Sequence, residues 1–323
     1  MEKFRVGIIG AETKQGAQLC RLLAMHPYLD ITSVYAAGYE GKRLSTLHPS
    51  LRAVCENVCA DRGAVIDNSD VVFSIASDMD TDAICAECIH NKCVFIDLSA
   101  CFRPNGEEAF LDWFGYPSEY PGLHNAVSYG LPELLRSEIV GKVLISVPGA
   151  IAAAAGMAMA PALLAGMLYT DSVCITAIAS ENTPFSSHDA KECTQLLSQM
   201  AAEPVNVCLV DRAVRTSKGL TVVCTAKLKA DFSQAHLEAA FNQIYGNEPF
   251  VRIVRDNEIS AANVLGSNMT DVSVRYDEAT NFAVFTAAFD DTIKGGAGLA
   301  LQAMNVMLSI PETTGLELYP DAF

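Results

Sequence analysis

The run FRVGIIG, Phe4 to Gly10, decides the fold. It is short, apolar and closed by glycine, the texture of a strand buried on both faces of a parallel sheet. Directly after it, GAETKQG (Gly10 to Gly16) turns the chain into GAQLCRLLAMHP. There the apolar residues recur at helical spacing and stop near Pro27. ITSVYAA supplies a second strand and VVFSIAS (Val71 to Ser77) a third. TDAICAECIHN reads as a helix, CVFIDLS (Cys93 to Ser99) as a strand, and VLISV (Val143 to Val147) as a strand that precedes an alanine-rich helix. This alternation predicts an α/β chain built on a doubly wound parallel sheet with right-handed crossovers.

Further along, the texture changes. Pro204 to Val214, Leu220 to Ala230, Val272 to Tyr276 and Phe282 to Phe289 read as strands, with the Gln234 to Tyr245 helix among them. Longer strands in succession predict a second domain with an antiparallel or mixed sheet. GGAGLALQAMNVMLS, Gly295 to Ser309, is a helix opened by glycines and is expected to return to the first domain. The length of 323 residues fits two domains of roughly 150 residues each.

Composition narrows the function. Half the residues are hydrophobic, 19% are charged, and the net charge is −16. Such a chain can build a core, which excludes a disordered or rod-like protein. Its charge repels phosphate backbones, so no nucleic-acid partner is expected. The 11 cysteines are scattered and odd in number, which reads as reduced thiols in a cytoplasmic protein rather than a disulfide framework. Between Lys142 and Asp171 no residue is charged. That span is long enough to cross a membrane, but Pro148 and Gly149 divide it, Pro161 interrupts it and no cationic cluster flanks it. A helix apolar all round also suits a protein interior, so no membrane contact is expected.

Five features could carry chemistry. The glycine turn has Gly10 and Gly16, but Thr13 stands where a G-x-x-G-x-x-G turn has its middle glycine, and Glu12 adds a negative charge. It serves either a diphosphate at a helix N-terminus or plain helix–strand packing. SVPGA, Ser146 to Ala150, is a strand-to-helix turn of the sort that presents a nucleophile, yet the presented residue is Ala150, which has no lone pair. On residues alone it reads as a plain turn. Cys85, Cys88, His90 and Cys93 lie close in sequence, but a tetrahedral zinc site would break the helix and the strand that hold them, so no metal is expected. His188 opens a helix, as a surface residue or as an acid/base lacking an evident nucleophile. Asp97 and Arg103 sit at a carboxyl strand end, where such sheets bind ligands, although a structural ion pair serves equally.

Taken in order, the motifs resemble the N-acetyl-gamma-glutamyl-phosphate reductases of arginine biosynthesis. The segments are VGIIGAETKQGAQLCRLL, HPSL (48–51), DLSACFR (97–103), DWFGYP (112–117), YGLPEL (129–134), EPFVR (248–252), GSNMTD (266–271), IKGGAG (293–298) and PETTGLEL (311–318). The resemblance implies a Rossmann-type dinucleotide-binding domain from residues 1–147 and 295–323 around a central α+β substrate and dimerisation domain, 148–294. It implies NADPH-dependent reduction of an acyl phosphate to a semialdehyde, through a cysteine thioester and a histidine acid/base. Carried onto this chain, the nucleophile position is Ala150 and the histidine is His188. Cofactor positions are Gly10, Thr13, Gly16, Lys294 and Gly295, and Arg103 faces substrate.

The departures concentrate at these positions. The family's P-G-C turn is Pro148, Gly149, Ala150 here. Its Ser and Arg after the second strand, which hold the NADP 2′-phosphate, are Ala36 and Ala37; its Pro-His-Gly after VVFSIAS is Ser77, Asp78, Met79. Cys101 replaces an Asp, Asp291 stands at an Asn, Ser186 stands at the first His of H-R-H, and the S-G-x-S-G-A-G-R loop is compressed to ASENTPFSSH. These losses argue against NADP binding and turnover. The expectation is a reductase-like protein with eroded motifs or, alternatively, a catalytically inactive binding or regulatory subunit, or an enzyme of changed specificity. It would take a small-molecule ligand and form a homo-oligomer, dimer or tetramer, or pair with an active paralogue.

Overall fold

A computed structural model describes residues 3–181, 183, 185–216 and 218–321, with the backbone alone at Asp78. The chain forms two compact units, one of residues 1–148 with 296–317 and one of residues 149–295 with 318–323.

The first unit alternates strand and helix: β1 (Phe4–Ile9), α1 (Lys14–Leu23), β2 (Leu29–Tyr35), α2 (Leu44–Leu47), α3 (Arg62–Asp67), β3 (Val71–Ser74), α4 (Asp78–His90), β4 (Val94–Asp97), α5 (Glu107–Phe114), α6 (Pro121–His124), β5 (Ser128–Tyr129), α7 (Pro132–Ile139) and β6 (Leu144–Ser146). The six strands lie in the order β2-β1-β3-β4-β6-β5, and every pairing is parallel. Both faces are covered, so β3 is buried at every position and β1 at its last four. This explains why these strands read as continuous apolar runs. The strand order reverses at β1, with β2 on one side and β3 on the other. Gly10 follows β1 at this switch point, where open α/β sheets bind ligands.

The second unit holds α8 (Ala150–Leu164), β7 (Val173–Ser180), α9 (Asp189–Ala201), β8 (Val207–Val214), β9 (Leu220–Lys227), α10 (Gln234–Tyr245), β10 (Val251–Ile253), β11 (Thr270–Asp277) and β12 (Phe282–Phe289). Its sheet, β10-β11-β12-β9-β7-β8, is mixed: the outermost pair at each edge is parallel and the inner pairs are antiparallel. Burial alternates along β9 and β7, the sign of a sheet with one face packed and one face open. The packed face meets α8, which is buried on every side from Ile151 to Leu163. The uncharged stretch is therefore an interior helix, and no helix among the described residues is long and apolar enough to cross a membrane. After β12 the chain makes one π-helical turn, Ile293–Ala297, and enters α11 (Gly298–Met307) of the first unit, which packs on α1 and α7.

The units break after residues 148 and 295, one residue later than expected at each, and again after 317. Residues from Leu318 onward belong to the second unit rather than the first. The Asp321 N–H donates to the Leu265 carbonyl at 2.8 Å, and its carboxylate packs against Gly266. Nothing in PETTGLEL or the residues after it signals that attachment.

The glycine turn is held by sterics. Gly10 has φ +89°, and a Cβ there would lie 2.7 Å from the Ile75 carbonyl oxygen. A Cβ on Gly16 would lie 2.6 Å from the Gly10 carbonyl oxygen and 2.8 Å from the Ala11 Cα. Both obstacles are backbone, so neither can rotate away. Gly16→Ala is therefore expected to destabilise the ligand-free chain by about 1–3 kcal/mol, seen as a lower Tm. An unchanged Tm would refute the packing role.

Candidate functional site

In the first unit the turn after β1 satisfies itself. The N–H groups of Gly10 and Ala11 donate to the Tyr35 carbonyl, and that of Thr13 donates to Gly10. Thr13 is the N-cap of α1: its hydroxyl accepts from the Gly16 N–H at 2.9 Å and donates to the Gly10 carbonyl at 3.0 Å. A Thr at this position does what an N-cap does in any helix. His48 donates from Nε2 to the Ala11 carbonyl at 2.8 Å. Beyond β2, Ala36 is buried and Ala37 is exposed, and the Ala37 N–H donates to the Glu12 carboxylate at 3.1 Å. A negative charge thus stands at the end of β2, where a 2′-phosphate calls for a cation.

Asp97 and Arg103 follow β4. Asp97 is fully buried and accepts from the N–H groups of Ser99 and Phe102 at 2.8 and 3.3 Å. Burial pushes its carboxyl up to about 6, against the pull of the Ser99 hydrogen bonds and the nearby Arg103 charge. Arg103 donates to the carbonyls of Val147 and Leu98 at 3.0 and 3.1 Å, tying the carboxyl ends of β6 and β4 together.

The second unit holds the position at which the sequence expects a nucleophile. Gly149 caps α8 and Ala150 is its first residue. The buried Glu192, on α9, accepts the Gly149 N–H at 2.9 Å. A helix N-terminus carries a partial positive charge and unpaired N–H groups, which stabilise a thiolate, an oxyanion or a phosphate. Here a carboxylate of the chain itself takes that place. The Ala150 methyl packs toward Gly295, where an added Cβ would come within 3.0 Å of it.

His188 stands at the N-cap of α9, one turn before Glu192, with its ring Nδ1 shielded from solvent. Its N–H donates to the Ser186 hydroxyl at 3.1 Å, and Asp189 accepts the Ser186 N–H at 2.7 Å. The structure thus brings the start of α9 to the start of α8 through Glu192. That contact has no sequence signal, because Glu192 reads as one helical residue among others.

Asp290 and Asp291 organise the turn after β12. Asp290 accepts from the N–H groups of Gly266, Thr292 and Ile293. Asp291 accepts from the Thr183 hydroxyl at 2.5 Å and the Gly219 N–H at 2.6 Å, joining two loops of its own unit. Lys294 is fully buried, its ammonium 5.6 Å from the centre of the Phe250 ring, and Gly295 follows it in the same unit. Asp290 was legible in principle, since an Asp three residues before a helical run is a capping signal.

The family follows from comparison. The model described as "Semialdehyde dehydrogenase, NAD binding domain" matches residues 5–142, and "Semialdehyde dehydrogenase, dimerisation domain" matches residues 185–291. The chain belongs to the semialdehyde dehydrogenase family. It is 32% identical to the N-acetyl-gamma-glutamyl-phosphate reductase of Acidothermus cellulolyticus, over 97% of each chain. A protein of Caldivirga maquilingensis assigned as a LysW-L-2-aminoadipate/LysW-L-glutamate phosphate reductase is 31% identical, again over 97% of each. The fold matches aspartate semialdehyde dehydrogenase II of Vibrio cholerae with a TM-score of 0.71 at 14% identity, over 94% of this chain and 98% of that one. The resemblance read from the motifs is therefore shown at the level of family and fold.

Asp97 gives a pH test of the first unit. Its carboxyl is raised by folding, so the native chain binds this proton more tightly than the unfolded chain. Its contribution to stability is present at low pH and is lost as pH rises from about 4 to about 6. Asp97→Asn is expected to flatten that decline by roughly 2–3 kcal/mol, whatever fixed cost the altered Phe102 contact adds. Denaturant midpoints of both proteins between pH 4 and 7 measure it, and parallel curves would contradict it.

Proposed function

We propose that this chain is an N-acetyl-gamma-glutamyl-phosphate reductase-like protein that has lost the family's thiol chemistry and acts as a binding or regulatory subunit. The observation that carries this reading is the start of α8. Ala150 offers no electron pair to an acyl carbon, and Glu192 fills the adjacent N–H site with a negative charge. Removing a covalent nucleophile costs on the order of a millionfold in kcat in serine hydrolases. Glu192 compounds this, because its charge repels both an acyl phosphate and the thiolate that a cysteine at 150 would have to form.

The first unit supports the same reading. The family implies NADP, but the residues here do not fit its phosphates. Thr13 takes the Gly16 N–H, Ala36 and Ala37 offer no cation, and Glu12 faces the end of β2. Of the carried-over cofactor positions, Lys294 lies over the Phe250 ring and the Gly295 N–H donates to the Asp290 carbonyl, while Arg103, carried over as a substrate contact, binds two carbonyls. His188, at the N-cap of α9, has no nucleophile to serve at Ala150. Among the alternatives, a binding role fits a charge-capped helix better than changed chemistry.

As a partner, the reading favours a second copy of this chain or an active paralogue, cytoplasmic and meeting the open face of the second sheet. Cys174, Ile178, Cys208 and Val210 are exposed there. The matched dimerisation domain covers β8, β9, β10, β11 and β12 of this sheet.

The test is an assay of phosphate-dependent NADP reduction with N-acetylglutamate semialdehyde, run on the unaltered chain and on Ala150→Cys, beside a titration with NADPH. The expected result is no turnover above background in either protein and no saturable binding of NADPH. Turnover by the unaltered chain would end the proposal. Recovery in Ala150→Cys would reduce it to the loss of one sulfur atom.

A further inference from the structure

We propose that Asp82, Cys101 and His124 form a binding site for a divalent cation of the zinc class within the first unit. Among the described residues these three offer a carboxylate oxygen, a sulfur and a ring nitrogen that all lie within 4.8 Å of one another. The sequence reading expects no metal and considered only Cys85, Cys88, His90 and Cys93. In the fold, Cys85 and Cys88 are buried along α4, and Cys93 donates to the Ser69 carbonyl at 3.1 Å. Donors far apart in sequence, from α4, the loop after β4 and the end of α6, are the ones brought together.

The cluster converges on one atom. His124 Nε2 lies 3.0 Å and the Cys101 sulfur 3.3 Å from Asp82 Oδ1. The Ser118 hydroxyl donates to Oδ2 at 2.6 Å, which fixes the carboxylate and leaves Oδ1 as its ligand oxygen. His124 is fully shielded, with the rings of Phe102 and Phe110 centred 4.7 and 4.5 Å from its own. Three donors face the Asp82 carboxylate: the Ser118 hydroxyl at Oδ2, and the Cys101 thiol and His124 ring at Oδ1. An ionised Asp82 needs a ring N–H at Nε2.

That arrangement is incomplete by itself. The other ring nitrogen of His124, Nδ1, is buried and has no hydrogen-bond partner among the described residues. With a neutral ring, the Asp82 charge lacks a counter-charge from the imidazole. A bound dication resolves the charge. The Cys101 thiol gives its proton to solvent, the ring proton moves from Nε2 to Nδ1, and a thiolate, a carboxylate and a neutral imidazole balance the two positive charges. One sulfur, one nitrogen and one oxygen donor suit zinc and its neighbours rather than magnesium or calcium.

The experiment uses the chelator-treated full chain with Cys174 and Cys208 changed to Ser, so that exposed thiols do not bind the probe. It is titrated with Co²⁺ and, separately, with Zn²⁺. The expected result is one equivalent bound per chain, a thiolate-to-cobalt charge-transfer absorption, and a Tm raised by Zn²⁺. In that background Cys101→Ser loses the absorption and weakens binding at least roughly tenfold, and His124→Gln weakens it likewise. Absence of the thiolate band in the parent protein, or a band and affinity unchanged in Cys101→Ser, would overturn the site. The band is read on a protein with the cluster intact, so the test survives if a variant fails to fold.

Discussion

A helix buried on all sides must satisfy its first N–H groups without water. Helix α8 is such a helix within the second unit, and the buried Glu192 is what takes the Gly149 N–H. The interaction is charge-assisted and sits on the positive end of the helix, so it is worth more than an ordinary cap. It also makes the site exclusive. One position cannot hold both a protein carboxylate and a second anion at short range. The Gly149 N–H at the start of α8 is thus taken by a side chain of the protein itself.

Much of the fold was legible because its elements carry a clear period. The parallel strands stand out as apolar runs since both faces of their sheet are covered, and β12 and α10 fall where alternation and helical spacing put them. The shorter elements were not. Strands β5 and β10 have two and three residues, too few to show a period, and they exist because a neighbouring strand offers an edge. The strand expected from Leu220 to Ala230 ends at Lys227, beyond which Leu228 forms only an isolated bridge with Leu168. The one expected from Pro204 begins at Val207, because Pro204 lacks the N–H a ladder needs.

Site residues divide along a different line. Ala150 was legible as a position because a turn of proline and glycine between a strand and a helix is a local pattern. Arg103, Lys294 and Asp291 were legible only as residue types in a motif, and their uses depend on partners far off in the chain: Val147, Phe250, Gly219. The same holds for Asp82 and His124, 42 positions apart, which no spacing rule joins. Side chains whose role is set by long-range contacts leave no trace in a periodicity.

This separation bears on how a glycine motif is weighed. Gly10 and Gly16 are commonly taken as marks of a nucleotide site, since a missing side chain lets phosphates approach the backbone. In this chain both glycines are required before any ligand is considered. Gly10 must turn with positive φ against Ile75, and Gly16 must let α1 close onto Gly10 and Ala11. Position 13, whose side chain points into the turn and not into the packing of helix on strand, has no such constraint, and there the glycine is replaced by a threonine that caps the helix. The two glycines that remain are those that the backbone itself demands. Their presence therefore reflects what the fold demands and is not by itself a mark of nucleotide binding.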